Sequence, residues 1–286
     1  MSYLNVDNWE LEHFTDPYPH IAIRNFLKPS VYQAAENTFP PLTCFTAKDS
    51  YSGNSPGGIE NNKIVTVPVK TTQEYTVPEV WENLYNFFTS ENFFYWFCDQ
   101  YSQDIRHHFP MLHDYLEKRQ IDIVVERDSS DINDGDIALD FWYVMNSPVK
   151  IKSASRGAHI DDPRVLYNGL CYMRDNADST LGGGHVVYRC GDTVTIEKGG
   201  RNVPKSVINK QLETVREVPY ASNNFVSFLN TPRSVHAVGV REKTSYPRRH
   251  FQFNAVLRQD FFEKVKRTAH KGITKHHKPI RDIFGI

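Results

Sequence analysis

Two residues near the middle of this 286-residue chain have the types and the spacing of metal ligands. His159 and Asp161 form the single His-x-Asp triplet among the twelve histidines. In an extended segment, residues two apart project to the same face, so the imidazole and the carboxylate can reach one ion together. The triplet alone is weak, since chance gives roughly one in a chain of this composition. The neighbouring sequence must therefore show whether this triplet is a metal-binding motif or a chance occurrence.

A third ligand is expected from a later strand. His236 follows the apolar segment that begins at Phe228, and it completes a set of two imidazoles and one carboxylate. This set is the facial triad of non-heme Fe(II) oxygenases, which leaves positions open for a bidentate co-substrate and oxygen. Asp162 is an alternative ligand, but strand alternation turns its side chain to the opposite face.

Two arginines at the start of the last predicted strand are candidates for binding an anion. If the co-substrate is a 2-oxo diacid, its distal carboxylate needs a cation, and the planar guanidinium binds a carboxylate through two hydrogen bonds. Alternation places Phe251 and Phe253 against a helical layer and turns Arg248 and His250 toward a polar interior. The pattern favours Arg248 over Arg249, and both remain candidates.

The order of these motifs resembles that of the Fe(II)/2-oxoglutarate-dependent dioxygenases, nearest their prolyl-hydroxylase-like branch. The resemblance covers about residues 16–40 and 120–257. It includes the opening Asp16-Pro-Tyr-Pro-His20 and the run Gly182-Gly183-Gly184 before a strand. It implies an enzyme that hydroxylates a C–H bond with Fe(II), O2 and 2-oxoglutarate, with ascorbate as a candidate reductant and with succinate and CO2 as co-products.

The resemblance also implies roles for single residues. Iron would be bound by His159, Asp161 and His236, and 2-oxoglutarate by Arg248 or Arg249. Tyr172 matches a position where the family often places a hydroxyl on the same carboxylate, and Tyr143 is a second candidate. The family commonly has Ser or Thr two residues after the arginine, where this chain has His250 or Phe251. Asp161 argues against halogenation, because the halogenases replace this carboxylate.

Most of the segments that must position these residues have the alternating pattern of strands. Strands are predicted at Ile121–Val125, Ile137–Val144, Val165–Arg174, His185–Cys190, Thr193–Glu197, Asn224–Leu229 and His250–Leu257. Together they predict an α+β, mainly β fold, in which residues 121–257 form a double-stranded β-helix (a cupin-like jelly roll). His185, at the start of one strand, is a further residue that can face the pocket.

The N-terminal part has helical signals instead. A strand is expected at Ile21–Ile23, and helices near 29–38, after a capping box at Thr76–Glu79, and over 90–101. Residues 1–120 are expected to brace the β-helix, 49–62 to form a candidate lid, and 258–286 to form a basic helix or tail. The whole chain is interpreted as a single domain.

Composition excludes several classes of protein. The chain has 33 Lys and Arg against 34 Asp and Glu, which argues against a dedicated nucleic-acid binder. No apolar run approaches the roughly 18 residues needed to span a membrane. Four scattered cysteines and the absence of a signal peptide predict a reduced, cytoplasmic protein.

The sequence leaves the substrate and the oligomeric state open. A small metabolite, an amino acid, a peptidyl residue and a saccharide all remain candidate substrates. The alternative function is a non-catalytic jelly-roll module that binds a sugar or an acidic metabolite through its many aromatic side chains, which make up 13% of the residues.

Overall fold

The computed structural model of the chain describes residues 2–46, 61–69, 75–126, 134–190 and 212–272. The predicted strand Thr193–Glu197 lies outside these ranges, as do residues 49–60 of the predicted lid and the tail after residue 272. Within the described ranges, no helix is both long enough and apolar enough to cross a membrane.

Eleven strands are described, and they form two sheets. They are β1 (Glu10–Phe14), β2 (His20–Arg24), β3 (Ile64–Pro68), β4 (Ile123–Val125), β5 (Ile137–Asn146), β6 (Val165–Tyr172), β7 (His185–Cys190), β8 (Leu212–Val218), β9 (Phe225–Leu229), β10 (His236–Val238) and β11 (Arg248–Leu257). The major sheet has the order β1-β2-β9-β6-β11-β5-β3, with β4 parallel to β5, and the minor sheet has the order β10-β7-β8. An antiparallel bridge between His159 and His236 adds the segment around His159 to the minor sheet.

From β5 onward, the chain passes repeatedly between the two sheets. The segment around His159 and strands β7, β8 and β10 belong to the minor sheet, whereas β5, β6, β9 and β11 are neighbours in the major sheet. This alternation of two facing four-stranded layers is the double-stranded β-helix. The predicted fold class is therefore confirmed.

Six α-helices are described: α1 (Pro29–Asn37), α2 (Glu79–Phe88), α3 (Glu91–Gln100), α4 (Ser102–His108), α5 (Pro110–Glu117) and α6 (Gln259–Gly272). Helix α3 begins after Ser90, whose hydroxyl accepts a hydrogen bond from the backbone N–H of Phe93 at 3.2 Å. Helix α2 is present where predicted, but the capping box is wrong. Its N-cap is Pro78, without a side-chain capping bond, and Glu79 is its first residue rather than its third.

The helices cover the outer face of the major sheet with aromatic side chains. Phe88 of α2 stacks on Phe253 of β11, with ring centroids 4.6 Å apart, and Trp81 meets Phe251 edge-on at 5.8 Å. Both phenylalanines of β11 therefore face the helices, as alternation predicted. Since neighbouring side chains on a strand point to opposite faces, Arg248 and His250 point between the two sheets.

We expect Gly169→Ala to destabilise the fold. Gly169 lies opposite Phe253, and a Cβ at this position would come within 2.4 Å of that ring. Because the ring is fixed between the sheet and Phe88, the substitution should lower the free energy of unfolding by about 1–3 kcal/mol. Urea denaturation measures the change.

Gly157→Ala is the matched control, since nothing lies within 4 Å of the Cβ it would add. This substitution should leave the free energy of unfolding unchanged or raise it slightly. Equal losses in the two variants would contradict the packing argument.

Candidate metal centre

The minor sheet brings His159 and His236 side by side. Their backbones exchange two hydrogen bonds, of 2.9 and 3.0 Å, and their ring centroids are 4.1 Å apart. Asp161 follows two residues after His159. Its Oδ1 lies 3.5 Å from Nε2 of His159, and its Oδ2 lies 3.7 Å from Nε2 of His236. The three ligand atoms all lie within 4.8 Å of one another, so the structure brings the predicted triad together.

Backbone carbonyls orient both imidazoles. Nδ1 of His159 lies 2.8 Å from the carbonyl oxygen of Gly157, and Nδ1 of His236 lies 2.8 Å from that of Ser234. Because a carbonyl oxygen only accepts, each Nδ1 must donate its hydrogen, and each Nε2 presents a lone pair toward Asp161. The tautomers are therefore those that metal ligation requires.

The charge states also suit a cation. Burial lowers the pKa of His236 to about 3, so its ring is neutral at physiological pH. Burial opposes the ionisation of Asp161, but the two histidines and Arg156 hold the pKa of its carboxyl below the ordinary value. One carboxylate oxygen and two imidazole nitrogens form the donor set of a non-heme Fe(II) site, and the ligand atoms of His159, Asp161 and His236 lie within 4.8 Å of one another.

A row of amides on the inner face of the major sheet holds Asp161. The side-chain amide of Asn168 donates to Oδ2 of Asp161, and Gln252 donates to Oδ1 of Asn168 at 3.1 Å. The same Gln252 amide donates to Asn254 at 3.0 Å. Sequence analysis missed Asn168, although its position, four residues before Tyr172, places it on the same face of β6. Its role is to fix the orientation of the carboxylate.

Asp162 is not part of the triad. Its carboxylate accepts hydrogen bonds from the Arg164 side chain at 3.0 and 3.2 Å and from the Arg164 backbone N–H at 2.9 Å. The structure therefore agrees with the sequence analysis, in which strand alternation turned the side chain of Asp162 away from that of Asp161.

Arg248 points into the space between the sheets and is 2% exposed. Its Nε donates to the carbonyl of Gly183 at 2.6 Å, and its Nη1 donates to Oδ1 of Asn146 at 3.0 Å. Gly183 has a φ of +84°, and a Cβ there would meet Arg248 Cδ at 3.3 Å, so glycine suits this close approach. Asn146 and Gly183 thus hold the guanidinium of Arg248 in place. Sequence analysis favoured Arg248 but kept Arg249 as a second candidate.

Tyr172 is fully buried beside this guanidinium, whose Cζ lies 5.0 Å from the centre of the Tyr172 ring. Its hydroxyl has no hydrogen-bond partner among the residues that the structure describes. Burial raises the pKa of Tyr172, so the hydroxyl remains protonated and available to donate.

Arg249 and Tyr143 lie on the outer face of the major sheet, which corrects the sequence interpretation. Arg249 forms an ion pair with Glu36 at 2.8 Å, and Tyr143 meets Trp81 edge-on at 4.9 Å. The register of β5 and β11 pairs Tyr143 with Phe251, and both therefore face the helices. Neither Arg249 nor Tyr143 reaches the metal centre.

His185 does face the interior. Its ring stacks on that of His236, with centroids 5.1 Å apart and an interplanar angle of 20°. Nε2 of His185 has no hydrogen-bond partner within the described ranges. The ring contributes to the wall that surrounds the triad.

No family model and no curated protein matches the sequence. Among solved structures, the chain is similar to a prolyl hydroxylase from Trichoplax adhaerens in complex with a peptide fragment of the hypoxia inducible factor oxygen degradation domain, at 11% identity, with a TM-score of 0.41 and 86% of each chain covered. A prolyl-4-hydroxylase from Pseudomonas putida matches at 12% identity and a TM-score of 0.38, over 84% of this chain and 92% of the other. HygX from Streptomyces hygroscopicus, with nickel, 2-oxoglutarate and hygromycin B bound, matches at 10% identity and a TM-score of 0.40, over 83% and 82%.

At these identities and TM-scores, the functional assignment rests on the geometry of the site itself.

We expect Asn168→Ala to weaken metal binding about 10- to 100-fold, because Asp161 loses the amide that orients it. Titration of Mn(II) under anaerobic conditions measures the dissociation constant. Asn254→Ala is the control, since Asn254 belongs to the same amide row but accepts its hydrogen bond from Gln252 and is not bonded to Asp161. Asn254→Ala should leave Mn(II) affinity unchanged, and an equal loss in both variants would contradict the proposed role of Asn168.

Proposed function

We propose that this protein is an Fe(II)- and 2-oxoglutarate-dependent dioxygenase that hydroxylates a C–H bond of an organic substrate. The observation that carries the proposal is the buried set of His159, Asp161 and His236, whose ligand atoms converge and whose imidazole tautomers are fixed for metal binding. When bound, iron and 2-oxoglutarate would supply the activation of O2, with succinate and CO2 as co-products.

The chain itself supplies binding and orientation. The three ligands would occupy one side of the metal and leave the other side for the 2-oxo acid and O2. Asn168 keeps the carboxylate of Asp161 in place, and the carbonyls of Gly157 and Ser234 keep the imidazoles in place. A rigid ligand set of this kind determines which positions remain open.

The surroundings of Arg248 fit the distal carboxylate of a 2-oxo diacid. All described hydrogen bonds of this buried guanidinium involve neutral groups, and no carboxylate of the described residues lies within 4.0 Å of it. A buried charge without a counter-ion is costly, and a bound anion offsets that cost. Tyr172, with its unpaired hydroxyl, would add a hydrogen bond to the same anion.

A second buried arginine makes the same region more positive. The side chains of Arg241 and Arg248 both approach Gly183, where a Cβ would meet Arg241 Cγ and Cδ at 3.0 Å and Arg248 Cδ at 3.3 Å. The carboxylate of Asp178 lies 3.8 Å from Arg241. Two buried guanidinium groups that approach the same glycine favour an anion as the occupant of this region.

The inner face beside Asp161 bears on the substrate. Amide groups line this face, from Asn168, Gln252 and Asn254. The row continues on the neighbouring strand β5 with Asp140, which is paired with Asn254 in the register. A row of amide groups that begins at Asp161 favours a substrate with hydroxyl or amide groups near the oxidised carbon. A small metabolite, an amino acid, a peptidyl residue and a saccharide all meet this description.

Anaerobic addition of Fe(II) and 2-oxoglutarate should give a weak visible charge-transfer band. His159→Ala should abolish the band, because one imidazole ligand is lost, whereas His13→Ala should retain it. His13 is the matched control, since it lies near the surface beside Asp104, away from the triad. In air, the wild-type protein should release succinate, and a screen across the substrate classes should identify one that increases the release. A folded, iron-loaded protein without the band would overturn the proposal.

A further inference from the structure

His250 lies between the two sheets, two residues after Arg248 on β11, and is 3% exposed. Its Nδ1 lies 3.2 Å from Nη1 of Arg248. Its ring stands edge-on to Tyr172, with centroids 6.1 Å apart, and the two residues are direct neighbours in the β6–β11 register. His250 therefore lies beside both the buried guanidinium of Arg248 and the ring of Tyr172.

The contact with Arg248 determines where His250 keeps its hydrogen. A guanidinium only donates hydrogen bonds, so Nδ1 of His250 must accept and cannot be protonated. Burial, and then the charge on Arg248, lower the pKa of His250 well below its ordinary value, so the ring is neutral. A neutral ring with a bare Nδ1 has its hydrogen on Nε2, which makes Nε2 a donor.

This Nε2–H donor has no acceptor within the described part of the chain, where the ring's hydrogen bonding is confined to Arg248. The Tyr172 hydroxyl has no partner either. Arg248, Tyr172 and His250 thus present a positive charge and two further donors to the same space. A ligand with a negative charge and several acceptor atoms would satisfy the buried Tyr172 hydroxyl and accept from the other two groups.

We propose that His250 binds the distal carboxylate of the 2-oxo acid through Nε2–H, while its Nδ1 holds Arg248, and that it thereby sets a preference for a dicarboxylic over a monocarboxylic 2-oxo acid. This inference rests on the proposed function. Two residues after Arg248, where the family commonly has Ser or Thr, this chain has His250. The inference is that the imidazole of His250 takes the place of that hydroxyl in binding the carboxylate.

The position of Arg248 does not depend on His250 alone. Asn146 accepts from the same Nη1 at 3.0 Å, and the Gly183 carbonyl accepts from Nε at 2.6 Å. Loss of the Nδ1 contact therefore leaves two hydrogen bonds that keep the guanidinium in place. The Nε2–H, in contrast, has no substitute elsewhere on the ring.

Two amide substitutions separate the two nitrogens. His250→Asn offers an acceptor near the position of Nδ1 but no donor near that of Nε2, whereas His250→Gln offers an N–H near Nε2. We expect His250→Asn to weaken 2-oxoglutarate binding about tenfold or more, because a hydrogen bond to a charged carboxylate is lost. His250→Gln should retain most of the affinity. Calorimetric titration of the Mn(II)-loaded proteins measures both.

The monoacid 2-oxopentanoate is the control ligand, since it has the same chain length without the distal carboxylate. Its affinity should be the same in the wild type and both variants. The inference is overturned if His250→Asn binds 2-oxoglutarate as the wild type does, if it weakens both acids equally, or if His250→Gln is the weaker binder. If the wild type itself fails to bind 2-oxoglutarate, the proposed function fails instead.

If a variant does not fold, a measurement on the wild-type protein tests the same inference. In the Zn(II)-loaded protein with 15N-labelled histidine, the Nε2–H proton of His250 should move downfield when 2-oxoglutarate is added and should not move with 2-oxopentanoate. An unchanged resonance with bound 2-oxoglutarate would contradict the inference.

Discussion

The structure depends on the antiparallel bridge between His159 and His236. The two backbones exchange hydrogen bonds of 2.9 and 3.0 Å, and this pairing closes the minor sheet at its edge. The same contact sets the imidazoles 4.1 Å apart and leaves Asp161 facing both. The pairing that closes the sheet at this edge is therefore the same pairing that brings the ligands together. The carbonyls of Gly157 and Ser234 then fix the rings.

The two faces of strand β11 have different roles, one in packing against the helices and one in the candidate site. Phe251 and Phe253 face the helices, whereas Arg248 and His250 face the space between the sheets. A shift of one residue in register would exchange the two sets, and the aromatic packing opposes that shift. The many phenylalanines of the helical layer thus help to keep one guanidinium in position.

Local patterns predicted those features that depend on alternation alone. The triad follows from the spacing of residues in an extended segment, and the inward direction of Arg248 follows because it lies an odd number of residues from Phe251, which faces the helices. Tyr143 was misplaced because its face depends on the register between β5 and β11, which a single segment does not reveal. Asn168 and Asn146 were missed because a buried amide has no signature in sequence. Strand β1 was missed because its residues are almost all exposed, so no apolar alternation marks it.

The uncompensated guanidinium of Arg248 has a consequence for the lifetime of the protein. A ligand that binds only the folded chain adds to its stability as its concentration rises above its dissociation constant. An anion between Arg248 and Arg241 would relieve a repulsion that the unfolded chain does not have, because there each arginine is surrounded by water. Under the proposed function, the supply of the 2-oxo acid would then regulate the amount of folded protein as well as the rate of its reaction.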